Sequence, residues 1–352
     1  MKKRFTTSDN KLIENRKTLN MFEFASFSIR NPEKPKCGDA SFSNTMELNG
    51  EPCAVLIVAD GVSRAPKDWL ASQSTVNFIE GFLKNYSFPI PELMQRAVAY
   101  SNEKIINGVQ NTFGMLTTLV LLIYQPSSKK AYWVNVGDSR VYGLSNGKWT
   151  QLSTDDSTSQ PYMENGKMRL RNGQPIMVSA LTRAIGARGS LDIKVHEVSA
   201  TSYSAFLLCS DGFYGVSEYD SLTIRMCHSA DLAQDSKLVS DSIVKEITDD
   251  ASVALIRFSQ NLDLDIRNLV CNPKEESQSL SAFSVRNALE PELENAIKQR
   301  DDQYVGDILI YMDDNRIYFN RERMIRLLEM MIAVLSVHQG RMISMIKRLP
   351  YN

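Results

Sequence analysis

Apolar stretches that stop at an aspartate followed by glycine are the clearest pattern along the chain. The run Val55-Leu56-Ile57-Val58-Ala59 ends at Asp60-Gly61, and the run Ala205-Phe206-Leu207-Leu208-Cys209 is followed, after one serine, by Asp211-Gly212. Runs of this length between turn residues predict buried strands, and glycine permits a tight backbone turn after each of them. The pattern therefore predicts two core strands that each present a carboxylate at one end.

The remaining periodicity divides the chain into strands first, then a helix pair, then strands, then helices. Alternating or apolar stretches predict strands at 21–30, 37–42, 117–124, 131–136, 141–144, 149–152, 191–197, 204–209 and 306–312. Helical spacing predicts helices at 69–86, 91–109 and 320–338, with mostly helical structure between 216 and 300. This order favours an α+β fold of packed layers over a repeated strand–helix–strand arrangement.

Composition narrows the class of protein. The 352 residues carry 40 Lys and Arg against 41 Asp and Glu, so no net field favours nucleic acid or an anionic membrane. No apolar run reaches membrane-spanning length, and the N-terminus lacks an apolar signal core. The five cysteines are scattered and odd in number, which indicates reduced thiols. We expect a cytoplasmic protein with no nucleic-acid or membrane partner.

A third carboxylate of the same kind predicts a metal site. Asp138 follows the strand-like stretch 131–136 and a glycine, as Asp60 and Asp211 lie beside glycines at the ends of their own strands. Each of these is an ordinary turn residue when taken alone. Hard divalent cations such as Mg²⁺ and Mn²⁺ prefer oxygen ligands, and converging aspartates supply them.

With these residues in view, the chain resembles the PPM-type, metal-dependent serine/threonine protein phosphatases, in their bacterial form. The resemblance covers about 22–312 and rests on motifs in a fixed order: Gly38-Asp39-Ala40, Val58-Ala59-Asp60-Gly61, Leu116-Thr117-Thr118-Leu119-Val120, Val136-Gly137-Asp138-Ser139-Arg140, Leu181-Thr182-Arg183-Ala184-Ile185-Gly186, Leu208-Cys209-Ser210-Asp211-Gly212 and Gly306-Asp307-Ile308. It implies a four-layer sandwich, in which two antiparallel sheets pack face to face between antiparallel helices.

The resemblance also implies a domain organisation. Residues 1–20 form a polar leader, 21–312 form the phosphatase-like domain, and 313–352 form a C-terminal helical extension. Within the domain, 153–189 corresponds to a flap that helps to select substrate. The long interval between Asp211 and Asp307 implies a helical insertion at about 225–295.

The implied metal ligands are Asp60, Gly61, Asp211, Asp307, Asp39 and Asp138. Asp60 would bridge two Mn²⁺ or Mg²⁺ ions, with the Gly61 carbonyl as a further ligand. Asp211 and Asp307 would complete the shell and Asp39 would support it. Asp138 with Asp211 would hold the third, weaker ion of some members.

The implied chemistry is hydrolysis of phosphoserine or phosphothreonine in a phosphorylated protein. Two cations that share a water lower its pKa, so that it attacks phosphorus without a nucleophilic side chain. Asp60 and Asp211 would carry this step. Arg30 is the candidate phosphate contact because a guanidinium donates two parallel hydrogen bonds, and Lys36 is the competing candidate.

Three departures from the family pattern keep alternatives open. Gly38 stands where many members have Glu, and no histidine follows Asp60. The closing motif normally reads Asp-Asn or Asp-Asp before a β-branched residue and Thr or Ser, whereas Gly306-Asp307 shifts that register. The alternatives are a weak or inactive phosphatase-like binding or signalling module, and a metal-dependent phosphodiesterase or pyrophosphatase. The Met-rich helix at 320–338 and the insertion are candidate surfaces for a protein partner.

Overall fold

The structure is a computed structural model, and it describes residues 22–108, 114–164, 167–171, 174–175, 177–216, 218–229, 231–258, 270, 282–319, 321–334 and 338–349. The expected leader at 1–20 lies outside the described residues. The chain divides into two compact units. One comprises Met1–Thr223 and Ser236–Phe258, and the other comprises Ile224–Asp235 and Ser259–Asn352. No helix within the described residues is long and apolar enough to cross a membrane.

The first unit is built on antiparallel strands. The long ones are β1 (Phe22–Ile29), β2 (Asp39–Leu48), β3 (Glu51–Asp60), β4 (Leu119–Gln125), β5 (Lys130–Val136), β6 (Arg140–Ser145) and β7 (Lys148–Gln151). Short ribbons follow as β8 (Ser157–Pro161), β9 (Met163–Glu164), β10 (Lys167–Met168), β11 (Leu170–Arg171), β12 (Gln174–Pro175) and β13 (Met177–Leu181). The last strands are β14 (His196–Ser199), β15 (Ala205–Cys209) and β16 (Ala251–Phe258).

Two five-stranded sheets form the centre of this unit. One has the strand order β1-β16-β15-β6-β7, and the other has the order β14-β5-β4-β3-β2. Their pairings are antiparallel, and β1 pairs along its whole length with β16, from Phe22 opposite Phe258 to Ile29 opposite Ala251. The expected α+β class, with two antiparallel sheets and helices, is confirmed.

Side-chain alternation along β3 separates two apolar layers. Val55 and Ile57 belong to a buried cluster that includes residues of the two long helices, whereas Leu56 and Val58 belong to a cluster shared with the other sheet. A strand directs successive side chains to opposite faces, so a continuous apolar run is what a strand buried on both faces requires. The face shared by Leu56 and Val58 is also the face of Asp60.

The helices of the chain are α1 (Asp68–Asn85), α2 (Ile90–Ile106), α3 (Asp211–Tyr214), α4 (Tyr219–His228), α5 (Leu232–Ile243), α6 (Ala282–Gln299), α7 (Asp302–Asp314), α8 (Arg321–Val334) and α9 (Gln339–Arg348). The helix pair expected at 69–86 and 91–109 corresponds to α1 and α2. The helix expected at 320–338 corresponds to α8. In the second unit, α6 to α9 share their own apolar core, which includes Leu293, Leu309 and Met331.

The strand expected at 306–312 is wrong, because these residues lie within α7. Val305, Ile308, Leu309 and Met312 are buried, while Ile310 between them is 41% exposed. That spacing is helical, with one buried stripe and one exposed side. The Asp301 side chain accepts a hydrogen bond from the Tyr304 backbone N–H at 3.1 Å and caps the helix.

The last strand of the sheets is β16, which begins directly after Asp249-Asp250. The sequence interpretation placed this segment in a helical insertion at about 225–295 and extended the domain to 312. In the structure the sheet unit ends at Phe258, and α6 to α9 belong to the second unit. The added helices therefore follow the final strand and do not interrupt the sheets.

Candidate metal centre

Asp60 is fixed at the end of β3 by the Thr117-Thr118 motif. Its backbone N–H donates to Thr118 Oγ1 at 3.0 Å. Its carbonyl accepts hydrogen bonds from the Thr118 backbone N–H and from Thr117 Oγ1, both at 2.8 Å. Thr118 Oγ1 also lies 2.7 Å from Ser139 Oγ, which joins this strand end to the loop that carries Asp138. Both backbone polar groups of Asp60 are thus hydrogen-bonded, and its carboxyl group is left to bind a ligand.

Asp39 lies opposite Asp60 in the β2–β3 register and is buried. Because paired residues direct their side chains to the same face of a sheet, both carboxyls point towards the second sheet. Ser210 Oγ, which follows β15 in that second sheet, donates to Asp39 Oδ2 at 2.7 Å. Ser210 Oγ in turn accepts the Ser252 backbone N–H at 2.9 Å. One serine therefore joins the two sheets directly at the carboxylates.

Asp211 is the first residue of α3 and completes a group of three carboxyls. The charges of Asp39 and Asp211 both act on the Asp60 carboxyl. Burial raises the pKa of Asp60 well above its ordinary value, and these nearby charges raise it further. Burial raises the pKa of Asp39 in the same direction. A positive charge that joins the group would favour the ionised forms of Asp39 and Asp60.

The donor set fits a hard divalent cation. Carboxylate oxygens are the ligands that Mg²⁺ and Mn²⁺ prefer. Within the described residues, no group of three or more His, Cys, Asp or Glu side chains is arranged to hold a metal ion in this structure. The fit is therefore one of ligand chemistry.

Gly61 and Gly212 are required by close backbone approach. A Cβ on Gly61 would lie 2.3 Å from the Asp68 carbonyl oxygen, and a Cβ on Gly212 would lie 2.0 Å from the Asp250 carbonyl oxygen. Neither backbone can move without disturbing the strand beside it. At both Asp-Gly pairs, therefore, another segment of the backbone packs directly against the glycine that follows the carboxyl residue.

Asp138 is buried on the link between β5 and β6, and its carbonyl accepts the Tyr214 hydroxyl at 3.3 Å. Burial raises the pKa of Tyr214, and the charges of Asp138 and Asp211 raise it as well. The third-ion role of Asp138 with Asp211 stays a prediction.

Arg140 fastens the base of the expected flap to the same link. Its Nε and Nη2 donate to the two Asp155 oxygens, at 3.0 and 2.7 Å. Its Nη1 donates to the Tyr142 hydroxyl at 3.1 Å, and its guanidinium lies 3.8 Å from the Tyr214 ring centroid. Only a planar, forked cation makes all of these contacts at once.

Replacing Arg140 by lysine is therefore expected to lower the free energy of unfolding by about 1–2 kcal/mol, because a point charge cannot make the fork and stack on the ring. Urea denaturation of the purified chain measures this. Arg225→Lys is the matched control, since the Arg225 side chain is 56% exposed and its ion pair with Asp235 spans 3.9 Å, so it should contribute less than about 0.5 kcal/mol. Equal, small effects of both substitutions would contradict the anchoring role of Arg140.

The two candidate phosphate contacts interact with other groups in this structure. Arg30 is exposed, and its Nη1 donates to the backbone carbonyls of Asn31, Pro32 and Lys34. Lys36 places its ammonium 3.6 Å from the centroid of the Trp69 ring. In this structure Arg30 braces a turn and Lys36 stacks on an aromatic ring. A phosphate contact by either residue stays a prediction.

Residues that the sequence interpretation missed are Asp249 and Asp250, with Lys34 between them. Asp249-Asp250-Ala251-Ser252 resembles the closing motif of the family, with Ala251 where that motif has a β-branched residue, and the two aspartates immediately precede β16. Asp250 is buried and accepts the backbone N–H groups of Asn31 and Gly38, both at 2.6 Å. The apolar run that follows the pair was the signal that could have identified it.

Asp307 lies within α7 of the second unit, so the strand that was expected to present it is replaced by a helix. The reason for including Asp307 among the ligands therefore no longer holds. Asp249 and Asp250 lie where the sequence interpretation had placed Asp307, at the end of a strand beside Asp211.

The glycine at position 38 also has a structural reason. A Cβ there would lie 3.0 Å from Asp250 Oδ2 and 3.1 Å from Asp68 Oδ2, tighter than an ordinary contact. The space that a side chain at position 38 would fill is occupied by carboxylates from two other segments. Where many family members have the Glu carboxylate, this chain has the carboxylates of Asp250 and Asp68 close to Gly38.

Comparison with known proteins places this geometry in a family. Residues 33–246 match the family model described as protein phosphatase 2C. The serine/threonine phosphatase stp of Listeria innocua is 28% identical over 167 residues, which cover 45% of this chain and 66% of that protein. The match thus spans just under two thirds of that relative's length.

Solved structures show the same fold. Serine/threonine phosphatase Stp1 from Staphylococcus aureus aligns with a TM-score of 0.55 at 15% identity, covering 68% of this chain and 95% of that one. The catalytic domain of the protein phosphatase PstP, in complex with two manganese ions, aligns with a TM-score of 0.51 at 19% identity, covering 67% and 98%. The sheets, the ordered motifs and the match over 33–246 together show that this chain belongs to the protein phosphatase 2C family.

Proposed function

We propose that this protein is a divalent-metal-dependent phosphatase that hydrolyses phosphoserine or phosphothreonine in proteins. The observation that carries the proposal is the grouping of Asp39, Asp60 and Asp211, drawn from both sheets, in which the charges of Asp39 and Asp211 act on Asp60 and Ser210 joins Asp39 to the second sheet. Family membership and the names of the Listeria relatives support the substrate class.

The aspartates of the site would have different roles in metal binding. Asp60, with its backbone clamped, would hold the position between two cations, and Asp211 and Asp249 would approach from the second sheet. Asp39 would orient the group through Ser210. Bound cations would activate a water for attack on phosphorus and offset charge on the phosphoryl oxygens. Manganese is the favoured ion because the PstP structure contains two manganese ions. Magnesium and a third ion at Asp138 are further proposals.

A phosphothreonine peptide and a dinucleotide distinguish the candidate activities. We expect Mn²⁺-dependent release of phosphate from the peptide, loss of that activity in EDTA, and no cleavage of the dinucleotide. Faster cleavage of the dinucleotide would favour the phosphodiesterase alternative. If folded, Mn²⁺-loaded protein hydrolyses neither substrate, the phosphatase proposal is wrong, and binding of the phosphopeptide should then be measured to test the signalling-module alternative.

A further inference from the structure

The turn that follows β1 contains Lys34 and is held by hydrogen bonds. The Asn31 N–H donates to Asp250 Oδ1 at 2.6 Å, and the Lys34 N–H donates to the Asn31 carbonyl at 3.0 Å. The Glu33 N–H donates to Asn31 Oδ1 at 2.9 Å. Arg30 Nη1 donates hydrogen bonds to backbone carbonyls of the same turn. The position of Lys34 is therefore fixed by its own backbone and by β16.

The Lys34 ammonium lies between two carboxylates at the start of β16. It is hydrogen-bonded to Asp249 Oδ1 and lies 3.0 Å from Asp250 Oδ2. The Lys34 ammonium is therefore held where the chain has gathered negative charge.

The two aspartates differ in their exposure and in the number of hydrogen bonds that their side chains accept. The Asp250 side chain is only 1% exposed and also binds the Asn31 and Gly38 backbone N–H groups. The Asp249 side chain is 44% exposed and accepts the Asp250 N–H at 2.7 Å in addition to Lys34. Asp250 is a structural brace, whereas Asp249 has the exposure that a ligand for an entering cation needs.

We propose that Lys34 is an internal competitor for the divalent cation at Asp249. Without metal its ammonium neutralises that carboxylate, and a cation binds there only by displacing it. A carboxylate already paired with a monovalent cation offers less to a second cation, since the existing ion pair must first be broken. The inference rests on the proposed function in taking Asp249 as a ligand, and it concerns metal binding, not turnover.

Displacement is compatible with the chemistry of lysine. Its ammonium is a compact charge on a flexible four-carbon chain, and the side chain is 26% exposed. Ser63 Oγ lies 3.4 Å from Lys34 Nζ and offers an alternative polar contact to an ammonium that leaves the aspartates.

Titration calorimetry of the full chain with MnCl₂ alone tests the proposal. In Lys34→Met one Mn²⁺ site should tighten by about tenfold, because the competing charge is gone. Lys36→Met is the matched control and should bind as the wild type does, since its ammonium lies on Trp69. Equal affinities in Lys34→Met and wild type would overturn the proposal. Weaker binding in Lys34→Met would also overturn it and would identify Lys34 as a brace.

Thermal unfolding provides a second readout if Lys34→Met folds poorly without metal. Its melting temperature should then rise more with Mn²⁺ than that of the wild type, because the cation restores the missing charge. Lys34→Arg keeps the charge and should show no tightening. Wild type that binds two Mn²⁺ without hydrolysing phosphopeptide would refute the proposed function alone. Hydrolysis together with unchanged Mn²⁺ affinity in Lys34→Met would refute the competitor alone.

Discussion

Asp60→Asn is expected to eliminate the stabilisation of the sheet unit by Mn²⁺ and to reduce phosphopeptide hydrolysis by about 1,000-fold or more. The charges of Asp39 and Asp211 both act on the Asp60 carboxyl, so Asp60 is the shared member of the group. An amide keeps the shape but removes the charge that would bridge two cations. At a metal concentration 100 times the Kd, binding contributes about 2.7 kcal/mol, and the wild type should melt several degrees higher with Mn²⁺ than without it.

The metal-free variant should be no less stable than the metal-free wild type. Removing the Asp60 carboxyl relieves its repulsion with the neighbouring charges of Asp39 and Asp211, which a cation would otherwise offset. Asp192→Asn is the control, because Asp192 is 73% exposed beside Lys194. Differential scanning fluorimetry with and without MnCl₂ measures both effects. An equal Mn²⁺ shift in the wild type and in Asp60→Asn would refute the assignment of Asp60.

Gly212→Ala should destabilise the sheet unit by about 3 kcal/mol or more. The added Cβ would lie 2.0 Å from the Asp250 carbonyl oxygen and 2.9 Å from its carbonyl carbon. Both are backbone atoms next to β16, which pairs on both sides within its sheet. Relief of the clash must therefore move either α3 with Asp211 or the start of β16. Chemical denaturation gives the loss of stability, and Mn²⁺ titration should show weakened binding.

Gly81→Ala is a matched substitution with the opposite expectation. Gly81 lies within α1, and a Cβ there would meet no atom within 4 Å. Alanine favours a helix interior over glycine, so the variant should gain about 0.5–1 kcal/mol. If both glycine variants lost the same stability, the loss at Gly212 would come from a general backbone effect and not from contact with Asp250.

The sequence predicted the part of the centre that local patterns encode. β3 and β15 are buried on both faces, so their apolar runs stand out, and each is followed by a carboxylate. Alternation along β3 then places Asp60 on the same face as Val58. The expected metal role of Asp60 and Asp211 is compatible with where the structure brings them, and it stays a prediction until metal binding is measured.

The missed elements have physical reasons. β16 is as apolar as β3, but it was placed within a stretch expected to be helical. The apolar residues 308–312 are too few for periodicity to separate a strand from a helix, and only the exposure of Ile310 shows the helical face. The contact of Lys34 with Asp249 joins residues 215 positions apart. No local pattern predicts a contact over that separation, because it depends on β1 pairing with β16.

The pairing of β1 with β16 has a consequence for synthesis on the ribosome. β1 is an edge strand, and its neighbour in the sheet is β16. β1 therefore cannot pair until the chain has been synthesised to about residue 258. Until then a nascent chain exposes an unpaired strand of eight residues. Asp250 is made equally late, so the turn around Asn31 cannot close either. Shorter nascent chains should consequently be catalytically silent and prone to chaperone capture.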